Sequence, residues 1–159
     1  RFALIRPAAI YGPHDNFDLE TCHVIPALIR KVIEGQNPLE VWGDGSEQRQ
    51  FCYVDDLAQG LLLATEHYAA AEPINIAPTQ VSTVRDVAQC LLELTCEHMS
   101  GVRYIGSIKY FADKPAVINK RLIDTTNCKR LLGYECKTTL ADGLLQTIEW
   151  ARKHLSQNT

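Results

Sequence analysis

A chain of 159 residues fits one ordinary domain, and a composition of 46% hydrophobic and 22% charged residues is that of a folded globular protein. Nine glycines and seven prolines without a period exclude a collagen-like repeat, and no apolar run is long enough to cross a bilayer as a helix. A net charge of −3 gives no ground for expecting a nucleic-acid partner.

Residues 2–6 form an apolar, β-prone run that predicts a buried strand, and Pro7 and Gly12-Pro13 predict a loop over residues 7–22. A core strand with no lead-in is expected of a piece of a longer protein. The same residues read as a strand rather than as a basic-then-apolar signal peptide. Ile25, Leu28, Ile29, Val32 and Ile33 follow helical spacing, with Pro26 in the first turn and Gly35 to end it. Residues 39–42 predict a short strand, Gly43-Asp44-Gly45 a turn, and residues 50–54 another strand. Asp55 and Asp56 then open a helix to about His67, where either carboxylate could accept from the first-turn N–H groups. Residues 74–76 predict a strand. Ser82 is the expected cap of a helix whose inward stripe is Val84, Val87, Ala88, Leu91 and Leu94. Residues 102–105 predict a strand and 108–120 a polar loop. Residues 121–124 are expected to run extended into a small helix ending near Gly133. Thr139 caps a last helix with the stripe Ala141, Leu144, Leu145, Ile148 and Ala151. Strands alternating with helices predict an α/β fold with parallel pairing.

The six cysteines, Cys22, Cys52, Cys90, Cys96, Cys128 and Cys136, contain no C-x-x-C pair, so a zinc site is not indicated. Cys52 and Cys90 sit inside apolar patterns, where free cysteine is a common buried residue. Reduced thiols in a cytoplasmic protein are expected, with no metal.

Chemistry points to three places. Arg6-Pro7-Ala8-Ala9-Ile10-Tyr11-Gly12-Pro13 follows a predicted strand, where open α/β sheets meet their ligands; it is also readable as a plain turn. Trp42-Gly43-Asp44-Gly45, with Arg49 just beyond, offers a close-approach turn, a flat ring and a fork for a diphosphate. Surface charge and core aromatic are the plainer readings. His23 stands at a helix start beside Asp15, Asn16 and Asp18; it is either a proton-transfer group or a capping residue. Tyr110 and Lys114 have a Tyr-x-x-x-Lys spacing that demands a helix, but Pro115 biases Lys114 away from helical geometry, so the spacing is coincidence.

In order, Arg6-Pro7…Tyr11-Gly12-Pro13, Trp42-Gly43-Asp44-Gly45…Arg49-x-Phe51-x-Tyr53-Val54-Asp55-Asp56, Ile74-Asn75-Ile76-Ala77 and Leu131-Leu132-Gly133-Tyr134 span nearly the whole chain. In this series the chain resembles the extended short-chain dehydrogenase/reductase family, among its nucleotide-sugar epimerases and dehydratases. The segments 11–17, 23–31 and 113–124 resemble the members that use NADPH to epimerise and then reduce GDP-4-keto-6-deoxy-mannose.

The resemblance implies the C-terminal part of a Rossmann-type parallel sheet plus a small α/β substrate-binding lobe, filling residues 1–159. It implies NADP, with NAD as the alternative, a nucleotide-sugar substrate, a homodimer for the complete enzyme, and no membrane. By it His23 is the proton donor of epimerisation, lying near the nicotinamide. Pro7, Ala8, Ala9 and Ile10 line the cofactor, and Lys31, Trp42, Arg49 and Arg103 hold the substrate. Two departures stand out. Ala8-Ala9 replaces a polar pair, and Ala116-Val117 replaces an acidic-Gly pair. They keep another nucleotide-sugar epimerase or dehydratase, or a non-catalytic nucleotide-sugar-binding module, as alternatives. The chain lacks a glycine-rich dinucleotide fingerprint and a Ser/Tyr/Lys catalytic set, so by itself it is expected to be inactive.

Overall fold

The computed structural model describes residues 2–68, 70, 72–98, 106–113 and 118–155. Four small sheets carry the strands. β1 (Ile5–Pro7) pairs in parallel with β6 (Ile74–Ile76), Ile5 opposite Ile74 and Pro7 opposite Ile76. β2 (Ala9–Tyr11) pairs in parallel with β5 (Phe51–Tyr53). β3 (Leu39–Trp42) pairs in parallel with β8 (Ile108–Phe111). β4 (Gln48–Arg49) lies between β7 (Ser82–Thr83), antiparallel to it, and β9 (Lys120–Arg121), parallel to it. Parallel pairing dominates, as the alternating strand and helix pattern predicts.

The helices are α1 (Val24–Ile33), α2 (Val54–His67), α3 (Val84–His98), α4 (Thr126–Leu132) and α5 (Leu140–Leu155). All five residues of the α3 stripe are buried, as are Ile25, Leu28, Ile29 and Val32 of α1. In α5, Leu144, Ile148 and Ala151 are buried, but Ala141 is exposed; Gly143 and Thr147 take inward places instead. The packing divides into two cores on either side of β5. Phe51 and Tyr53 face the core of α1, α3 and α5, while Cys52 faces a second core with Ile74, Ile76, Leu57 and Tyr134. The two-residue period of a strand makes this division.

Several expectations are corrected. The loop over 7–22 contains β2, because β5 supplies it a ladder. Residues 51–53 therefore pair with the 9–11 segment. The strand expected over 2–6 is observed at Ile5–Pro7 and is largely exposed, with Phe2 68% and Leu4 43% accessible. The polar stretch from 108 begins with β8, where Ile108 and Tyr110 pack on the main core. The strand expected over 102–105 lies outside the described residues. The cap of α3 is Thr83 rather than Ser82: Thr83 Oγ1 accepts from Asp86 N–H at 3.0 Å, and Thr83 N–H donates to Asp86 Oδ2 at 2.7 Å. Thr139 caps α5 through its hydroxyl, which accepts from Asp142 N–H at 3.2 Å and donates to Asp142 Oδ2 at 2.6 Å, and Gly133 closes α4 at φ +61°. Tyr110 is on a strand, as the reading of its lysine spacing as coincidence requires; Lys114 lies outside the described residues. All six cysteines are free thiols. Among the described residues no helix is long and apolar enough to cross a membrane, and no group of three His, Cys, Asp or Glu side chains could hold a metal ion.

Candidate functional site

The paired carboxyl ends of β1 and β6 form one wall. Ala8 N–H donates to Ile76 O at 3.0 Å, which extends the β1–β6 ladder by one bond. Pro7, Ala9 and Ile10 then stand exposed, a short stretch of apolar surface bounded by the buried Tyr11 and Gly12. Tyr11 and Tyr53 are register partners with ring centroids 5.8 Å apart, edge to face. Burial pushes the Tyr11 hydroxyl pKa up, and Tyr53 adds to the shift. The tyrosines of two of the motifs are thus packing residues beneath the wall.

A strap from 118 to 124 crosses the carboxyl end of β6. Buried Gln50 holds it: Gln50 Nε2 donates to Pro78 O at 2.9 Å, and Ile123 N–H donates to Gln50 Oε1 at 2.7 Å. Asn75 Nδ2 donates to Asp124 O at 2.8 Å. Arg49, half-buried, donates from Nη2 to Ile118 O at 2.6 Å and from Nη1 to Gln48 O at 2.8 Å. The β4–β9 register sets Arg49 directly beside the exposed Arg121. Sequence reasoning missed Arg121 and Gln50. Only the pairing of residues 72 apart reveals the first, and no local pattern marks a glutamine that will bridge two segments.

His23 is the N-cap residue of α1. It is exposed, and its side chain makes no capping bond, so the capping alternative does not describe it. Its carbonyl accepts from Ala27 N–H at 3.0 Å. The neighbouring carboxylates fold the loop: Asp15 accepts from Asn16 N–H at 2.7 Å, and Asp18 accepts from the Thr21 hydroxyl at 2.9 Å. Phe17 pins the loop by stacking on Trp150 of α5, centroids 5.9 Å apart. Lys31, eight residues further along α1, lies about 12 Å from His23 along the axis. Its Nζ donates to Glu40 O of β3 at 2.9 Å, and burial lowers its pKa against the opposing pull of Glu40. Trp42 ends β3 with 62% of its surface exposed, at the lip of the Gly43–Gly45 turn. Asp44 tightens that turn by accepting from the Ser46 N–H and hydroxyl at 2.8 and 2.6 Å; these bonds hold its carboxyl below the usual range.

The structure therefore brings Lys31 and Trp42 to the same strand and joins Arg49 to the strap over the β6 end. Arg103 lies outside the described residues.

Residues 1–77 match the model of the NAD dependent epimerase/dehydratase family. GDP-L-fucose synthase 1 of Arabidopsis thaliana is 35% identical over 153 residues, covering 94% of this chain and 45% of that protein. The crystal structure of a GDP-L-fucose synthetase from Naegleria fowleri bound to NADP superposes with a TM-score of 0.87 at 26% identity, over 98% of this chain and 48% of that one. UDP-glucose 4-epimerase from Thermotoga maritima, solved with UDP-glucose, gives a TM-score of 0.83 at 30% identity, over 96% and 46%. The chain spans a little under half the length of the curated relatives it matches. Over residues 1–77 the chain is similar to the NAD dependent epimerase/dehydratase family, and over nearly its whole length it is similar to GDP-L-fucose synthases.

Proposed function

We propose that this chain is the substrate-binding part, with the last Rossmann strands, of an NADP-dependent nucleotide-sugar epimerase/reductase of the GDP-L-fucose synthase kind. The observation that carries this reading is the Arg49–Arg121 pair. Like charges on register-paired strand residues repel, and two arginines so paired supply positive charge for a dianionic diphosphate. Arg49 is already oriented by Gln48 O and Ile118 O, so little of its freedom is lost on binding. In this reading Lys31 and the exposed face of Trp42 hold the nucleotide and sugar, and Arg103 adds a contact.

Pro7, Ala9 and Ile10 fit the flat ring end of a nicotinamide cofactor, and Ala8 sets the wall's spacing. The sequence has no glycine-rich turn spaced to cradle the cofactor's diphosphate, so this chain lines only the nicotinamide end. The cofactor supplies the hydride for reduction when bound. His23 gives or takes a proton at a carbon beside the sugar ketone, from a ring that neither caps its helix nor packs in the core. The rest of the machinery lies in a dinucleotide-binding part that this chain does not contain, and the chain alone does not turn over. The reading places the complete enzyme in the cytoplasm as a homodimer.

One observation favours a second reading. Ala8 and Ala9 offer no side-chain donor or acceptor at the wall, as a non-catalytic nucleotide-sugar-binding module would permit. Replacing Arg49 by Ala in the complete protein separates the two. A charged hydrogen bond to the diphosphate predicts a roughly 10- to 100-fold rise in the Michaelis constant for the nucleotide sugar, with that for NADPH unchanged. Equal effects on both constants would remove Arg49 from the site. Binding of the sugar nucleotide with no turnover in the wild-type protein would establish the module instead.

A further inference from the structure

The proposed site leaves unused a pair of thiols on the other side of β5. Cys52 is fully buried at the centre of that strand, and its Sγ lies 3.8 Å from Sγ of Cys136, 84 residues away and half-buried on the connection between α4 and α5. Both are free. Their proximity is held by neighbouring bonds. Tyr134 donates its hydroxyl to Asp56 O at 2.6 Å, and the N–H groups of Lys137 and Thr138 donate to the Asp56 carboxylate at 3.2 and 2.9 Å. Cys136 is therefore bracketed by residues tied to the first turn of α2, which holds its backbone beside Cys52.

We propose that Cys52 and Cys136 are a redox modification site, which a peroxide closes into a disulfide tying β5 to the α4–α5 connection. Cys136 reacts first because it reaches solvent and Cys52 does not. The thiol bond from Cys52 lowers the Cys136 pKa, while the same bond and burial raise that of Cys52. The Cys136 thiolate attacks a peroxide oxygen; the O–O bond breaks, an S–O bond forms, and the peroxide leaves reduced, as water when it is hydrogen peroxide. Cys52 Sγ then attacks the sulfenic sulfur of Cys136. The S–S bond forms as the S–O bond breaks, and the hydroxide leaves with the Cys52 proton as a second water. Two thiols and one hydrogen peroxide thus give one disulfide and two waters. The sulfurs must close from 3.8 Å to about 2.0 Å, a shift within the reach of side-chain rotation. The site stands on β5, the first turn of α2 and the α4–α5 connection and does not depend on the catalytic reading.

The test uses the folded protein, fully reduced and then treated with stoichiometric hydrogen peroxide. Remaining thiols are alkylated before digestion and peptide mapping by mass spectrometry. The expected product links the Cys52 peptide to the Cys136 peptide, is reversed by a thiol reductant, and unfolds roughly 5–10 °C higher than the reduced protein. Cys136→Ser abolishes both the link and the shift. Cys52→Ala leaves Cys136 as a sulfenic acid that dimedone traps, which keeps the test valid if either variant loses stability. Cys52 and Cys136 both alkylated after peroxide, a link through Cys128, or sulfinic acid at Cys136 without a link in the wild-type protein would each overturn the proposal.

Discussion

His23 and Asp56 show how differently two polar residues at helix starts can be used. His23 is exposed, and its ring takes no part in capping α1. Epimerisation beside a ketone needs proton-transfer groups on opposite faces of the carbon, and such groups contribute roughly 10²–10⁴-fold. On the proposed function, His23→Gln in the complete protein is therefore expected to abolish solvent-deuterium incorporation at one epimerised carbon while NADPH still binds. Epimerisation within a few-fold of wild type would leave His23 no catalytic part. Asp56, expected from sequence to satisfy its own helix's first turn, is turned away from it. It is buried and accepts two backbone N–H groups from the α4–α5 connection instead. Asp56→Ala strands both donors and should destabilise the fold by roughly 2–4 kcal/mol, measured by urea unfolding. A loss below about 0.5 kcal/mol would mean that water replaces the carboxylate without penalty. The sequence offers the acid and its helix-start position. The acceptor's true partners lie some 80 residues away, and no local spacing marks them.

Helices were legible because their signals are local, whereas the short strands depend on partners. The α3 stripe follows the 3.6-residue period without exception, and Thr139 and Gly133 cap as their positions require. Thr83 displaced Ser82 as a cap only because Asp86 stands three residues later to complete the reciprocal pair. β2, β4, β7 and β9 have two or three residues each, too few to show a period of two, and exist because distant strands complete their ladders. In the candidate site, Arg49 and Trp42 were marked by their turn, but the Arg49–Arg121 pairing and the Gln50 bridge arise only from register. Close approach between elements was equally hidden. Gly143 on α5 lies against the hydroxyl of buried Tyr11, and a Cβ there would also meet Tyr53 Cδ2 at 3.1 Å. Helix α5 can seat on the tyrosine pair only without a side chain at that position. Gly143→Ala gains helix propensity but overpacks this contact, so a net loss of about 1–3 kcal/mol is expected in thermal unfolding. A rise in melting temperature would show that the two tyrosines yield readily.

At the scale of the whole molecule, the β1–β6 pair is the least finished part. Parallel strands are ordinarily covered on both faces and flanked on both edges. β1 has β6 on one side, and no other described strand pairs with it. Phe2 and Leu4, leading into it, expose 68% and 43% of their surfaces, and Ile10 just beyond exposes 40%. Hydrophobic contact and open backbone donors therefore coincide along one border. That combination suits the next strand and covering helix of a continuous parallel sheet, which the proposed dinucleotide-binding part would supply. An isolated 159-residue chain should then self-associate through this border. Phe2→Lys with Leu4→Glu should return it to a monomer in light scattering, with its melting temperature changed little, because neither side chain is in a core. The same pair of substitutions in the complete protein should instead lower its melting temperature by several degrees, since both would then be buried at the junction. A complete protein indifferent to both charges would show that this border faces solvent.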